Sequence, residues 1–179
     1  WARTDGKRLG EALAWLDRSI AIRESFWNYE LKALLLHDAG KTAEAIPLIE
    51  KAIELSKDKE TLRTVLAEHY LFQGRVEDAE KELSAVIREM NSQRARKILA
   101  EVKLESGKVA EARPLIDAIL KENDRDLDGK YLQGRVALAE RRLKEAKERD
   151  SEVVRQDAAM ARARLYNGLT DILKGYVDV

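Results

Sequence analysis

Apolar residues recur along the chain at i, i+3, i+4 and i+7, as in Ile46, Ile49, Ala52 and Ile53, or in Leu83, Val86 and Ile87; no stretch sustains an alternation of period two. This spacing lays one apolar stripe along each segment and predicts helix throughout. A longer rhythm lies above it. The segments "AGKTAEAIPLI" (39–49), "QGRVEDAEKEL" (73–83) and "SGKVAEARPLI" (106–116) are variants of one another, and the recurrent alanines Ala12, Ala45, Ala79, Ala112 and Ala146 stand 33, 34, 33 and 34 residues apart. A period this regular predicts stacked units, each of which needs its neighbours to cover its apolar stripe.

Two helical segments fit in each period. They meet near Gly40, Gly74, Gly107 and, in the last copy, Gly175, and glycine is suited to a left-handed helix C-terminus because it has no Cβ to clash. The alternate junctions follow "ELSKDKE", "REMNSQ", "KENDRD" and "RQDAAM", where Asp, Asn and Ser can accept hydrogen bonds from the first free N–H groups of the next helix. Pro47 and Pro114 lie two residues after their alanines and are expected at helix starts, where a missing N–H costs least. The first helix of each pair carries a small residue, Ala33, Ala67, Ala100, Gly134 or Gly168, and the second carries the recurrent alanine. Small residues at a crossing point let two helices approach closely, so each pair is expected to form an antiparallel hairpin.

The 34-residue period, its Ala anchor and the apolar slots four residues later (Leu16, Ile49, Leu83, Ile116) and seven residues later (Ser19, Ala52, Val86, Ile119, Val153) resemble the tetratricopeptide repeat family. The resemblance implies an all-α fold, a right-handed α-solenoid of antiparallel hairpins over a single domain, 1–179. It divides the chain into a partial repeat contributing a second helix (6–24), full repeats 26–59, 60–92, 93–126 and 127–160, and a lone first helix at 161–179. The chain also departs from the family pattern. The aromatic near the start of the first helix survives only as Tyr29, its slot holding Arg63, Arg96, Lys130 and Arg164 elsewhere. The repeat-closing proline is absent, and Asp150 occupies the large apolar slot of the last full repeat, which puts the packing of that second helix in question.

Composition narrows the function. The chain has 179 residues, 45% of them hydrophobic and 37% charged, which suits a folded helical protein. Its 33 Lys and Arg balance 33 Asp and Glu, and the two signs are interspersed, so no basic footprint for nucleic acid or an anionic membrane is present. With no cysteine there is neither a disulfide framework nor a thiolate site, and no apolar run approaches the ~20 residues of a membrane span. No signal-peptide pattern precedes the first helix, so the compartment stays open between cytoplasm and periplasm. The chain begins at Trp1, as expected of a fragment, a processed product or an engineered chain. Nothing calls for a cofactor.

The resemblance places the first helices along a concave groove that holds an extended peptide or a helix. The groove slots hold Trp27, Glu30, Leu34, His37 and Asp38, then Thr64, Glu68, Leu71 and Phe72. Arg94, Lys97, Glu101 and Glu105 follow, and then Asp128, Tyr131, Arg135 and Leu138. Lys97 lacks the asparagines that accompany it in modules gripping a C-terminal carboxylate. "DRDLDG" (124–129) opens like a calcium loop, but Arg135 stands where the closing Glu belongs, so cap and turn chemistry accounts for its acids. His37 and His69 have no metal-ligand spacing, and no nucleophile elbow or Gly-rich phosphate loop occurs. No enzyme is expected. The last helix carries Leu165, Leu169, Ile172 and Leu173 without a covering partner, which predicts burial by a homodimer contact, by the tail folding back or by a following segment. The sequence therefore predicts a noncatalytic scaffold for a protein or peptide. Its alternatives are a designed or recombined array without a native ligand and a regulatory or assembly segment of a larger bacterial protein.

Overall fold

The computed structural model describes residues 6–156, and among these every regular element is a helix. They are α1 (Gly6–Ile22), α2 (Phe26–Asp38), α3 (Thr42–Leu55), α4 (Lys59–Phe72), α5 (Val76–Met90), α6 (Gln93–Glu105), α7 (Val109–Glu122), α8 (Leu127–Ala139) and α9 (Leu143–Gln156). The chain forms two compact units, residues 1–92 and 93–179. The first contains α1 to α5. The second contains, among the described residues, α6 to α9.

The caps follow from the local sequence. Ser25, Asp58 and Asp126 accept hydrogen bonds from the backbone N–H groups of Asn28, Thr61 and Gly129, closing the starts of α2, α4 and α8. At the other junctions Gly40, Gly74 and Gly107 take φ near +70 to +78°. Beyond each, an N–H bonds back to an earlier carbonyl, Lys41 to Leu36, Arg75 to Tyr70 and Lys108 to Lys103. The α8–α9 junction has the same closure, Arg142 N–H to the Ala137 carbonyl, but its left-handed residue is Arg141 at φ 59°. A non-glycine residue there costs about 1 kcal/mol.

Pro47 and Pro114 are not at helix starts. They sit one turn inside α3 and α7, where each removes an N–H that would have bonded Ala43 or Ala110. Both prolines and both alanines are exposed, so water can satisfy the freed carbonyls and the helices continue.

The second helices bury their alanine together with the residues four and seven positions on: Ala45, Ile49 and Ala52 in α3, Ala79, Leu83 and Val86 in α5, and Ala112, Ile116 and Ile119 in α7. Against them the first helices set Ala33, Ala67 and Ala100, each without accessible surface. In the first unit one cluster joins Ala33, Leu36, Ile46, Ile49 and Leu66, and another joins Tyr29, Ala52 and Leu62. In the second unit Ile116, Ile119, Tyr131, Leu132, Val136 and Val153 form the core. Burying one such aliphatic side chain contributes about 1.5–3 kcal/mol, so truncating Leu83 or Ile116 to alanine should cost about 2–5 kcal/mol.

The missing aromatics have a structural substitute. Tyr29 donates from its hydroxyl to Glu24 Oε1 at 2.7 Å. In the same slot Arg63 reaches Glu82 and Glu89 of α5 at 2.5 and 2.6 Å, Arg96 reaches Glu122 of α7 at 3.6 Å, and Lys130 reaches Glu152 of α9 at 2.5 Å. A ring packed on the second helix is replaced by a cation whose stem is largely covered and whose head pairs across the hairpin. Such pairs near the surface contribute about 0–1 kcal/mol each.

Asp150 is the exception in the apolar slot. α9 nevertheless forms, burying Ala146, Asp150 and Val153 in the positions occupied elsewhere by Ala, Ile or Leu and an aliphatic residue. The Asp150 carboxylate has no accessible surface, neither oxygen has a hydrogen-bond partner, and burial pushes its pKa up from 3.8 to about 6. It lies over Gly134, where a Cβ would come within 2.6 Å of Oδ1. Glycine on α8 therefore leaves the carboxylate its room.

Candidate partner-binding surface

α2 is apolar on nearly every side: Phe26, Trp27, Tyr29, Leu31, Ala33, Leu34, Leu35 and Leu36 occupy eight of its thirteen positions. A helix of that kind cannot bury its whole circumference against two neighbours. Tyr29, Ala33 and Leu36 face the core, while Trp27 (67% exposed), Leu31 and Leu34 (50% exposed) form a bare stripe at i, i+4 and i+7. The Trp27 ring is braced against Phe26, with centroids 4.6 Å apart.

The C-terminal ends of α2 and α4 meet through aromatic contacts. His37 packs on His69 at 4.6 Å and meets Phe72 edge-on at 4.5 Å, while Thr42 Oγ1 lies 3.4 Å from His37 Nδ1. Phe72 remains 72% exposed. His69 is buried, with Nδ1 2.9 Å from the Val65 carbonyl and Nε2 unpartnered. Burial lowers its pKa, reinforced by His37, and the Val65 contact does not restore it. The ring is therefore neutral at pH 7.

Around this apolar strip the expected charged positions fall as follows. Asp38 is exposed, and Glu30 and Glu68 are half-buried. The basic residues of α2 and α4 mostly turn to other helices: Lys32 pairs with Asp17 of α1, and Arg63 with Glu82 and Glu89 of α5. Thr64 lies on no open surface. It is fully buried and its hydroxyl donates to the Glu60 carbonyl at 2.8 Å, as β-branched hydroxyls do inside helices.

In the second unit the expected positions engage one another. Lys97 bridges Asp126 at 2.6 Å and Asp128 at 3.0 Å; burial opposes its charge, but the hydrogen bonds to both acids outweigh it and raise the pKa. Asp126 is at the same time the cap of α8, so the acids of 124–129 serve a helix start, with helix from Leu127 onward. Arg135 pairs with Glu101 at 3.5 Å and lies 6.0 Å from the centre of the Tyr131 ring. Tyr131 is only 4% exposed and belongs to the core, so it is not the groove anchor the sequence suggested. Leu165, Leu169, Ile172 and Leu173 lie outside the described residues.

The sequence reading missed Leu31, and also the exposed Trp15 and Ile22 of α1. The signal for Leu31 was present: more apolar residues on α2 than two neighbouring helices can cover. Among the described residues no helix is long and apolar enough to cross a membrane.

Comparison with known proteins places this geometry. Tetratricopeptide repeat profiles match residues 36–100 and 98–159, together more than two thirds of the chain. No curated protein sequence matches. Among solved structures, a tetratricopeptide repeat protein from Parabacteroides merdae superposes with a TM-score of 0.80 at 14% identity, covering 96% of this chain and 69% of the other. MamA from Desulfovibrio magneticus gives 0.68 at 16% identity, covering 84% and 85%. YrrB, described as a tetratricopeptide repeat protein with an unusual peptide-binding site, gives 0.62 at 22% identity, covering 89% and 84%. At these identities the likeness is one of fold. The fold is an all-α helical-repeat solenoid, and the chain belongs to the tetratricopeptide repeat family.

Proposed function

We propose that this protein is a noncatalytic interaction scaffold that binds a peptide or helix of a partner along its first helices. The observation that carries the reading is the exposed strip of Trp27, Leu34 and Phe72 in the first unit. Large apolar side chains on rigid helices are the anchors that interfaces use, and a soluble protein gains nothing by leaving them bare. The family fold supports protein or peptide partners. YrrB, similar in fold, is described by its peptide-binding site. Glu30, His37, Asp38 and Glu68 would form the polar rim of this strip in the first unit; in the second unit, taken by itself, Lys97, Glu101, Asp128 and Arg135 are the candidate partner positions of its first helices.

The test is selection from a random-peptide display library on the chain, beside a variant carrying Trp27→Ala, Leu34→Ala and Phe72→Ala. All three residues are exposed, so the variant should keep its helical circular dichroism. Peptides enriched on the parent and lost on the variant are expected. Equal enrichment on both would move the binding site elsewhere, and none on either would overturn the scaffold reading in favour of an array without a ligand.

A further inference from the structure

We infer that the face formed by α2 and α4 takes a basic amphipathic peptide, one that presents large apolar side chains together with Lys or Arg. This rests on the scaffold reading above and adds the chemistry of the ligand.

Charge is what selects the partner. Along α2 the sole Lys or Arg is Lys32, and it is held by Asp17 on the side facing α1. On α4 Arg63 is held by two glutamates of α5, which leaves Lys59 at the far N-terminal end of the helix. The aromatic strip between them is thus flanked by acids. Glu30 and Asp38 meet no cation among the described residues, and they stand one turn before and one turn after Leu34. His69 does not offset them because its ring stays neutral at pH 7. At the Leu34 and Phe72 end of the strip both helices also end, and a helix C-terminus carries the negative end of its macrodipole. Two acids without a cation and two helix C-termini therefore give the apolar strip a negative surround, and a ligand of opposite charge is the complement.

Among the described residues of the second unit the corresponding cations are paired. There Lys97 is matched by Asp126 and Asp128, and Arg135 by Glu101, so its equivalent face is electrostatically closed on itself. Local imbalance persists although the whole chain has net charge zero. Geometry adds a spacing. Trp27 and Leu34 lie two turns apart on α2, about 10 Å at a rise of 1.5 Å per residue, and Phe72 supplies a further anchor on α4. A ligand that meets Trp27 and Leu34 needs apolar residues about three apart if extended, since a strand advances about 3.4 Å per residue.

The experiment sequences the display-selected peptides and measures fluorescence anisotropy of the most enriched one on the parent chain. The same peptide is then tested with its Lys and Arg replaced by Gln, and on the Asp38→Lys and Glu30→Lys/Asp38→Lys variants. The expected result is a basic, apolar consensus. The neutral peptide should bind about tenfold more weakly, as should the parent peptide on the double variant, with added salt weakening binding further. Asp38 is exposed, so the single variant, expected to weaken binding as well, tests the charge even if the double variant unfolds. A consensus that depends on Trp27 but is neutral or acidic, or that binds the charge-reversed chains equally well, would overturn this inference and leave the scaffold reading standing. No enrichment at all would overturn both. A dimer in sedimentation velocity that dissociates on Trp27→Ala would also overturn it, because the face would then belong to a second copy.

Discussion

Replacing Asp150 by asparagine should stabilise the protein at neutral pH, with a sign opposite to that of most buried substitutions. In the fold the carboxylate has no accessible surface and no hydrogen-bond partner for either oxygen, while Lys130 and Arg149 of the same hairpin both pair with Glu152. Its pKa is pushed up from 3.8 to about 6 by burial. At about 1.36 kcal/mol per pH unit, ionising it in the folded state costs up to about 3 kcal/mol relative to the unfolded chain. Because the folded pKa is the higher one, the folded state holds the proton more tightly between these values, so stability falls as pH rises from 4 to 6 and stays low above that. The Asp150→Asn variant keeps the shape and cannot ionise. It should match the parent near pH 4 and exceed it by up to about 3 kcal/mol at pH 7, a rise of about 1.5 M in urea midpoint for an m-value of 2 kcal/mol per M. Far-UV circular dichroism in urea at several pH values measures it. The titration of His69, which has the opposite sign, is common to both chains and cancels in their difference. Identical pH profiles for the two chains would refute the reasoning, since the carboxylate would then be solvated or paired.

Other consequences follow from the same geometry. The lowered pKa of His69 means that protonation opposes folding, so its contribution is present above the ordinary value of 6.5 and is lost as pH falls below that towards the lower folded value; an NMR titration should place the His69 midpoint below 6.5. Gly134→Ala should cost about 1–2 kcal/mol in thermal or urea unfolding, because the new methyl meets Asp150 Oδ1. The cost should shrink in an Asp150→Leu background, which restores the residue types of the corresponding buried positions Ala67 and Leu83. Asp126→Ala removes both the α8 cap and one partner of Lys97 and should cost about 1–2 kcal/mol, measured as a lowered melting temperature.

Much of the fold was legible because it is written in local terms. The helices, their order and their junctions depend on a spacing of about 3.6 residues, on glycines able to take positive φ, and on Ser or Asp able to cap, all of which act within a few residues of chain. The repeat period added the pairing of first and second helices, since a small residue must face the recurrent alanine for two backbones to come close.

The surface was less legible. The family resemblance assigned Thr64 and Tyr131 to the groove along with Trp27, yet their neighbours bury them while Trp27 stays bare. Exposure is decided by what the adjacent helix brings, and one helix's sequence does not contain it. The same limit applies to charge. Arg63, Arg96 and Lys130 looked like losses from an aromatic slot until α5, α7 and α9 supplied their glutamates, and Lys97 looked like a ligand-binding cation until α8 supplied two acids.

By itself, then, the sequence determined the helical class, the period, the caps and the family, because these rest on contacts within a turn or on a repeat that can be counted. Only the tertiary structure decided which apolar and charged groups remain available to a partner, because availability depends on atoms brought close from a different helix. Asp150 illustrates both: its place in the apolar slot is read from the period, but its burial without a hydrogen-bond partner, over Gly134, is decided by the packed α8–α9 hairpin.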